Sequence, residues 1–534
     1  MRKYIKVHKG DNVAVALVDL KPKEIIKLNF SEFALIDFVK QKHKFTLEDL
    51  QKGDKIVMYG FIVGEVQNDL KKGSLISTSN TKHFKSDVNK TNPKKGWNAP
   101  DISAFKHLTF DGYHRNDGQV GTQNVWLFFP LVFCENRNIE ILKDVFENEL
   151  LLKKQSKYQV LLRAALSGKT EKLEEEEVEP YFDNIEVKFI THQGGCGGIR
   201  QDSQTLAKLL AGYINNPNVA GATVLSLGCQ NLQIDLFKSA LNDINPTLDK
   251  PVLFFEQQQM GTVDEMLSKI IKSSIAQIKI ANEIKRSPAP LSYLNIGLEC
   301  GGSDGFSGIS ANPLLGEVSD ILVSLGAKVM LSEFPELCGV EQDIVDRCES
   351  ELIVDKFIKL MNDFEQSAIN AGSGFDMNPS PGNIKDGLIT DAMKSAGAAR
   401  KGGTSPVMDV LDYAEYIKKD GLTLLCTPGN DVESTTAMAG SGANIILFTT
   451  GLGTPTGNPI TPVIKVSSNS KLAQSMPDII DFNSGKIITG EKTLEESTID
   501  LLNFIINVAS GKVVTKASIL NQNDFIPWKR GVSL

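Results

Sequence analysis

A chain of 534 residues is too long for one hydrophobic core, and about two to four domains are expected. With 41% hydrophobic and 23% charged residues it has the composition of an ordinary globular protein. Its net charge of −8 offers no basic surface to nucleic acid or anionic lipid, and no apolar run approaches the roughly 20 residues of a membrane helix. The N-terminus, Met1-Arg2-Lys3-Tyr4-Ile5-Lys6-Val7, lacks the apolar core of a signal peptide, so a cytoplasmic location is expected. Seven cysteines, with no CxxC pair, are too few and too scattered for a disulfide framework or a zinc ribbon.

Residues 1–72 read as a small β domain. Short runs such as Val13-Ala14-Val15-Ala16-Leu17 and Lys55-Ile56-Val57-Met58-Tyr59 lie between turn signals such as Lys9-Gly10-Asp11-Asn12 and Lys52-Gly53-Asp54. Within it, Phe33 to Lys42 reads as helical, and a polar turn with His43 and Lys44 follows. Residues 73–104 are rich in Lys, Asn, Ser, Thr and Pro, which predicts a surface linker. From Phe105 apolar runs alternate with helical stretches: Asn124 to Phe129, Ile185 to Ile190, Ala222 to Leu227 and Pro251 to Phe255. Strands alternating with helices predict a parallel sheet. The charged segment from Lys169 to Glu179 is expected to be exposed and without chemistry. Beyond Pro288 and Pro290 the pattern resumes at Ala327 to Leu331, Leu422 to Leu425 and Asn444 to Phe448. The expected fold class is α/β: a small β-rich domain, then α/β domains over 105–255 and 256–534 with largely parallel sheets.

The stretch Gly297-Leu298-Glu299-Cys300-Gly301-Gly302-Ser303-Asp304-Gly305 follows the strand-like Tyr293 to Ile296 and precedes a helical pattern from Leu314 to Leu325. Open α/β sheets bind ligands at such strand-to-helix turns, where glycines let the backbone approach a small molecule. Cys300 and Asp304, four residues apart, are expected to converge on one ion or one substrate oxygen. Other polar residues near strand ends are Asp117, Asn124, His192, Cys196, Cys229, Ser303, Glu333 and Glu336. Imidazole, thiolate and carboxylate donors suit Fe²⁺, Zn²⁺ or Mn²⁺, and three glycine-flanked thiols (196, 229, 300) could instead hold an iron–sulfur cluster. No GxxxxGK[ST], dinucleotide fingerprint or GxSxG elbow is present, so neither a nucleotide site nor a Ser hydrolase is indicated. A sugar-binding or sensor protein is a competing class, which the number of acid/base and metal-type residues disfavours.

Several segments in order carry a resemblance to the altronate and galactarate dehydratase family. They are Asp111 to Asn124, Leu227-Gly228-Cys229, Cys300 to Asp304, Ser310 to Pro313, Ser332-Glu333, Pro379 to Asn383 and Phe448 to Gly451. The N-terminal segment, with Val7-His8, Asp11 to Ala14 and His43-Lys44, resembles that family's SAF-type (β-clip) domain. The resemblance implies dehydration of a sugar acid across C2–C3, altronate to 2-dehydro-3-deoxy-D-gluconate or galactarate in its place, with activation by Fe²⁺ or Mn²⁺. The alternative enzyme is an iron–sulfur dehydratase of a related hydroxy acid. Altronate-type members carry a histidine-rich turn after the small domain; here that stretch reads Gly73 to Asn80 without histidine, while Phe525-Ile526-Pro527-Trp528 looks like the altronate type. The reaction needs proton-transfer groups, for which His192, His43, Lys44 and Asp304 are the candidates. Metal contacts are expected from Cys196, Cys229, Cys300, Glu333 and Glu336, and substrate contacts from Arg115, Asp117, Asn124, Ser303 and Asn312. The expected partner is the small sugar acid, with no nucleic acid and no membrane; a homo-oligomer is left open.

Overall fold

The computed structural model describes residues 2–28, 31–84, 88–89, 96–150, 157–168 and 181–534. The charged segment from Lys169 to Glu179 lies outside them. The chain forms two compact units: residues 1–112 with 287–528, and residues 113–286 with 529–534.

The small domain belongs to the first unit. Tyr4–Ile5, Val13–Ala16, Lys44–Thr46 and Leu75–Ile76 form a four-stranded antiparallel sheet. Lys55–Met58, Phe61–Val66 and Thr81–Lys82 form a three-stranded one. The domain therefore continues past residue 72, because Leu75–Ile76 and Thr81–Lys82 complete its sheets. No helix forms from Phe33 to Lys42. Ser31–Ala34 is a strand pairing with Ile25–Leu28, and Val39 bridges Leu20. Leu35 and Val39, both buried and four apart, have a spacing that would also fit a helix, but here the two reach the core from a strand exit and a bridge.

The second unit is built on a parallel sheet ordered Glu186–Phe189, Val125–Pro130, Val219–Ser226, Val252–Glu256. Val125–Pro130 and Val219–Ser226 are buried throughout, as central parallel strands are, with no in–out alternation. The helix Val263–Asn282 contributes Met266, Ile270 and Ile278 to the core that holds Trp126 and Phe128. This α/β layer thus runs past residue 255.

The largest sheet, in the first unit, has seven parallel strands: Val407–Leu411, Gly421–Leu425, Lys328–Leu331, Asn295–Cys300, Ile445–Thr450, Val463–Ser467 and Phe482–Asn483, in that spatial order. The chain enters at Asn295–Cys300, builds outward on one side, and returns to Ile445–Thr450 on the other. The loops after Cys300 and Thr450 therefore leave neighbouring strands in opposite senses, which opens a crevice at their carboxyl ends. Gly301 N–H donates to Thr449 O, and Gly451 and Leu452 N–H both donate to Gly302 O, which fixes the two loops side by side.

The small domain meets this end of the sheet through backbone. A Cβ on Gly305 would lie 2.5 Å from the Lys42 carbonyl oxygen and 3.0 Å from that of Asp386. Gly305→Ala is therefore expected to cost on the order of 1–3 kcal/mol and to lower the melting temperature by a few degrees. Gly382→Ala, whose Cβ would meet nothing closer than 3.6 Å, should leave it unchanged, as thermal unfolding monitored by circular dichroism would read.

Candidate active site

Cys300 ends its strand inside a set of buried charges. Its backbone N–H donates to Glu333 Oε2 (3.1 Å), and its thiol lies 2.8 Å from Glu336 Oε2 and 3.3 Å from Glu333 Oε2. Lys401 Nζ donates to Cys300 Sγ (2.8 Å) and Glu333 Oε2 (2.7 Å), while Lys394 pairs with Glu336 Oε1 at 2.5 Å. Cys300, Glu333, Glu336 and Lys401 are each 2% exposed or less. Burial opposes charge at Glu336, but the lysines more than offset it and its pKa is lowered. At Lys401, burial is outweighed by the neighbouring carboxylates, so the ammonium persists. The Cys300 thiol is pushed well up by burial and by both glutamates, so sulfur donates to carboxylate and accepts from ammonium.

Glu333 reaches this position through strained backbone. Its φ of 67° and ψ of 68° are left-handed, at a cost of roughly 1–2 kcal/mol for a residue with a Cβ. Its N–H donates to Thr427 Oγ1, and the short helix Phe334–Leu337 that follows presents Glu336. One oxygen of Glu333, Oε1, is buried with no hydrogen-bond partner among the described residues.

Three more ionisable groups surround the set. Glu299 accepts from Ser332 Oγ (3.0 Å) and Ser434 Oγ (2.6 Å), and burial, with Glu333 nearby, raises its pKa well above the usual range. Asp431, half-buried at the start of the helix Asp431–Gly440, packs on Gly301 so closely that a Cβ there would lie 2.1 Å from its Oδ2. Burial and repulsion from Glu333 and Glu336 lift its carboxyl to about 7. Lys465 Nζ is buried with no hydrogen-bond partner among the described residues, 3.4 Å from the Phe448 ring centre, and burial brings it down to about 7.

Asp304 serves a different function from Cys300. Its Oδ1 accepts from the N–H groups of Phe306 and Ser307 and from the hydroxyls of Ser307 and Ser468, and its Oδ2 accepts from Asn469 and pairs with Lys42 (2.9 Å). The two side chains thus turn to different partners, and the expectation that they share one ion is replaced by a loop organiser and a buried thiol. Lys44 Nζ donates to Gly387 O, and burial, opposed by Asp304, pulls its pKa down to about 7. His43 is half-buried with Nδ1 on Gln41 O, and burial lowers its pKa. Asn312 is taken up by Gly397 O and Thr449 Oγ1, and the Ser303 carbonyl by Asn383.

The other expected residues lie in the second unit. His192 is buried, with Nε2 on Pro130 O (2.7 Å) and Nδ1 accepting from Gly194 N–H, and burial lowers its pKa to about 4; this neutral ring braces two backbone segments. Arg115 binds Pro217 O, Gln123 O and Asn124 Oδ1, Asn124 donates to Asn184 O and Ala281 O, and Asp117 accepts from Gln119 and Asn245. Those side chains satisfy the unit's own loops. Cys196 and Cys229 are exposed in that unit, whereas Cys300 is buried in the first among carboxylates and lysines.

Lysines 42, 394, 401 and 465 and Asp431 were not among the expected residues. A signal existed for two of them. Lys401 stands before Gly402-Gly403, and Asp431 ends Pro428-Gly429-Asn430, the same glycine-rich setting that singled out the cysteines.

Iron(II) or manganese(II), which the family resemblance implies, does not fit the Cys300 set. Two ammonium ions already balance its two carboxylates, and Lys401 Nζ occupies the place between Sγ and Glu333 where a cation would sit. With the Cys300 thiol, Glu299 and Asp431 all pushed toward their neutral forms, a divalent ion added there would leave buried positive charge uncompensated.

A parallel α/β sheet with titratable acids and lysines gathered at its switch point defines an enzyme that moves protons on a small anionic substrate. Three family models match in order: "Altronate/galactarate dehydratase SAF domain" at 2–84, "D-galactarate dehydratase/Altronate hydrolase, second domain" at 112–282, and "D-galactarate/Altronate dehydratase, C-terminal" at 291–533. The chain is 37% identical to an altronate dehydratase of Bacillus subtilis (strain 168), with 100% of both chains covered. It is 34% identical to one of Escherichia coli (strain K12), over 99% of this chain and 100% of that one. To an Escherichia coli (strain K12) galactarate dehydratase (L-threo-forming) it is 30% identical, over 96% and 94%. The chain belongs to the galactarate/altronate dehydratase family and is a sugar-acid dehydratase, a hydro-lyase. Its small domain is the family's SAF domain.

Lys401→Met would leave Glu333 buried without its cation, and a loss of roughly 3–5 kcal/mol in denaturant unfolding is expected. Adding Glu333→Leu should restore much of that loss. Additive effects of the two changes would show that the pair is not coupled.

Proposed function

We propose that this chain removes water across C2–C3 of D-altronate to give 2-dehydro-3-deoxy-D-gluconate. The two altronate dehydratases that it matches end to end support the substrate. The observation that carries the chemistry is Asp431, a half-buried carboxyl held near 7 beside Gly301 at the sheet's switch point. Elimination next to a carboxylate needs a base for the C2 proton, positive charge for the enediolate that develops, and an acid for the departing 3-hydroxyl. In this reading Asp431, protonated below about 7, delivers that proton. Lys44, brought to about 7 by burial, is the base in its neutral form. Lys394, whose side chain is 11% exposed, and Lys401 stabilise the enediolate. Seven cysteines, none in a disulfide, suit a reducing compartment, and the cytoplasm is the proposed location.

The signs follow from the roles. Activity should rise with pH as Lys44 loses its proton and fall as Asp431 loses its own, giving a narrow bell around 7 in kcat/KM. Asp431→Asn should cut kcat by a factor on the order of 10² or more and remove the alkaline limb while the acid limb stays. An unchanged profile would assign the acid elsewhere. D-altronate and galactarate, compared by 2-keto acid formation, decide the substrate: faster turnover of galactarate would reject the altronate reading.

A further inference from the structure

We propose a divalent metal site at His83, Cys338 and Asp391, where the small domain meets the catalytic sheet. His83 follows the strand Thr81–Lys82, Cys338 follows the short helix Phe334–Leu337, and Asp391 opens the helix Asp391–Ala398. One ligand atom from each, imidazole nitrogen, sulfur and carboxylate oxygen, lies within 4.8 Å of the other two. Donors at about 2.0–2.3 Å from one tetrahedral ion lie about 3.3–3.8 Å apart, so an ion would draw the set together and take the place of the His83–Asp391 hydrogen bond. Cys338 and Asp391 are 2% and 1% exposed, and His83 Nδ1 touches Asp391 Oδ1 from the half-exposed side. The second observation is Asp391 Oδ2, which is buried and has no hydrogen-bond partner among the described residues. A buried carboxylate oxygen left without a partner costs free energy unless a cation or donor meets it there.

Charge separates this set from the one at Cys300. A thiolate, a carboxylate and a neutral imidazole balance a 2+ ion, and no lysine or arginine pairs with Asp391 among the ion pairs of the described residues. Imidazole and thiolate select a borderline ion such as Fe²⁺, Co²⁺ or Zn²⁺ over Mg²⁺ or Ca²⁺. The site would also act on its surroundings. Cys338 lies two residues past Glu336, and Asp391 lies three residues before Lys394 on one helix, so an ion held by the first pair fixes the backbone that presents the second, the Glu336–Lys394 ion pair. His83 would tie the small domain to the same point. These three residues are thus placed to position the active site without touching substrate.

The test uses the full chain, stripped with chelator under anaerobic reducing conditions and titrated with Co²⁺. One Co²⁺ per chain with a thiolate-to-cobalt charge-transfer band is expected, together with a rise in melting temperature. Cys338→Ser should abolish the band, Asp391→Asn and His83→Gln should weaken binding about 10- to 100-fold, and Cys300→Ser should retain it. Because Cys338 is buried and its variant could fail to fold, His83→Gln, at the exposed edge, carries the test in that event, with circular dichroism confirming the fold. A band lost in Cys300→Ser and kept in Cys338→Ser would overturn the proposal and return the metal to the Cys300 set. So would the absence of stoichiometric Co²⁺, or undiminished binding in folded His83→Gln.

Discussion

Lys401 meeting Glu333 and Cys300 in the buried interior is the interaction on which the rest of this active site depends. Taking each charge out of water costs several kcal/mol, and only partners at hydrogen-bond distance make the arrangement tolerable. Those partners come from three places in the sequence: a strand end, a left-handed turn, and a glycine-flanked lysine about 100 residues downstream. The left-handed Glu333 adds to the cost. It persists because Thr427, Cys300 and Lys401 each hold one of its atoms. The seven-stranded sheet supplies the rigidity that such an assembly requires, with its central strands buried along their whole length.

The small domain is part of that rigidity. Lys42 sets its ammonium on Asp304, and Lys44 reaches Gly387 O, so the turn after the first sheet of the SAF domain is joined to the loop that follows Cys300. Gly305 and Gly387 are the positions at which backbone meets backbone, since a Cβ at either would lie within 2.5 Å of the Lys42 carbonyl oxygen. Asp304 organises its own loop with one oxygen and receives the small domain with the other. A substrate bound at the crevice would therefore meet walls contributed by both parts of the chain.

Much of this was legible in the sequence. Alternating apolar runs and helical stretches identified parallel sheets, and Cys300, Glu333 and Glu336 could be picked out because each follows an apolar run at a strand end. The helix over Phe33 to Lys42 was misread because Leu35 and Val39 are spaced as on a helix, while tertiary pairing with Ile25–Leu28 and Leu20 decides the backbone. His192, Arg115, Asp117 and Asn124 looked functional because polar groups near strand ends often are. Only the fold brings up the backbone carbonyls and neighbouring amides that already take up their hydrogen bonds. The lysines escaped notice for the opposite reason. Lysine is the residue most often discounted as solvated surface; apart from the Gly402-Gly403 that follows Lys401, nothing local distinguishes Lys401 or Lys465 from the chain's other basic residues until the fold buries them.

Two neighbouring clusters then divide the work by charge. Around Cys300 the carboxylates are matched by lysines fixed in the chain, so the balance is permanent and protons are what can move. At the second cluster no lysine or arginine pairs with Asp391 among the ion pairs of the described residues, and its Oδ2 has no hydrogen-bond partner among them, so the balance would come from the proposed ion or from a proton on His83. The short helix Phe334–Leu337 leads from one cluster to the other, with Glu336 in it and Cys338 just past it. On the other side the helix Asp391–Ala398 does the same, carrying Asp391 in its first turn and Lys394 in the next. Because both connections are a few residues of ordered backbone, the proposed ion would act on the Glu336–Lys394 pair through them.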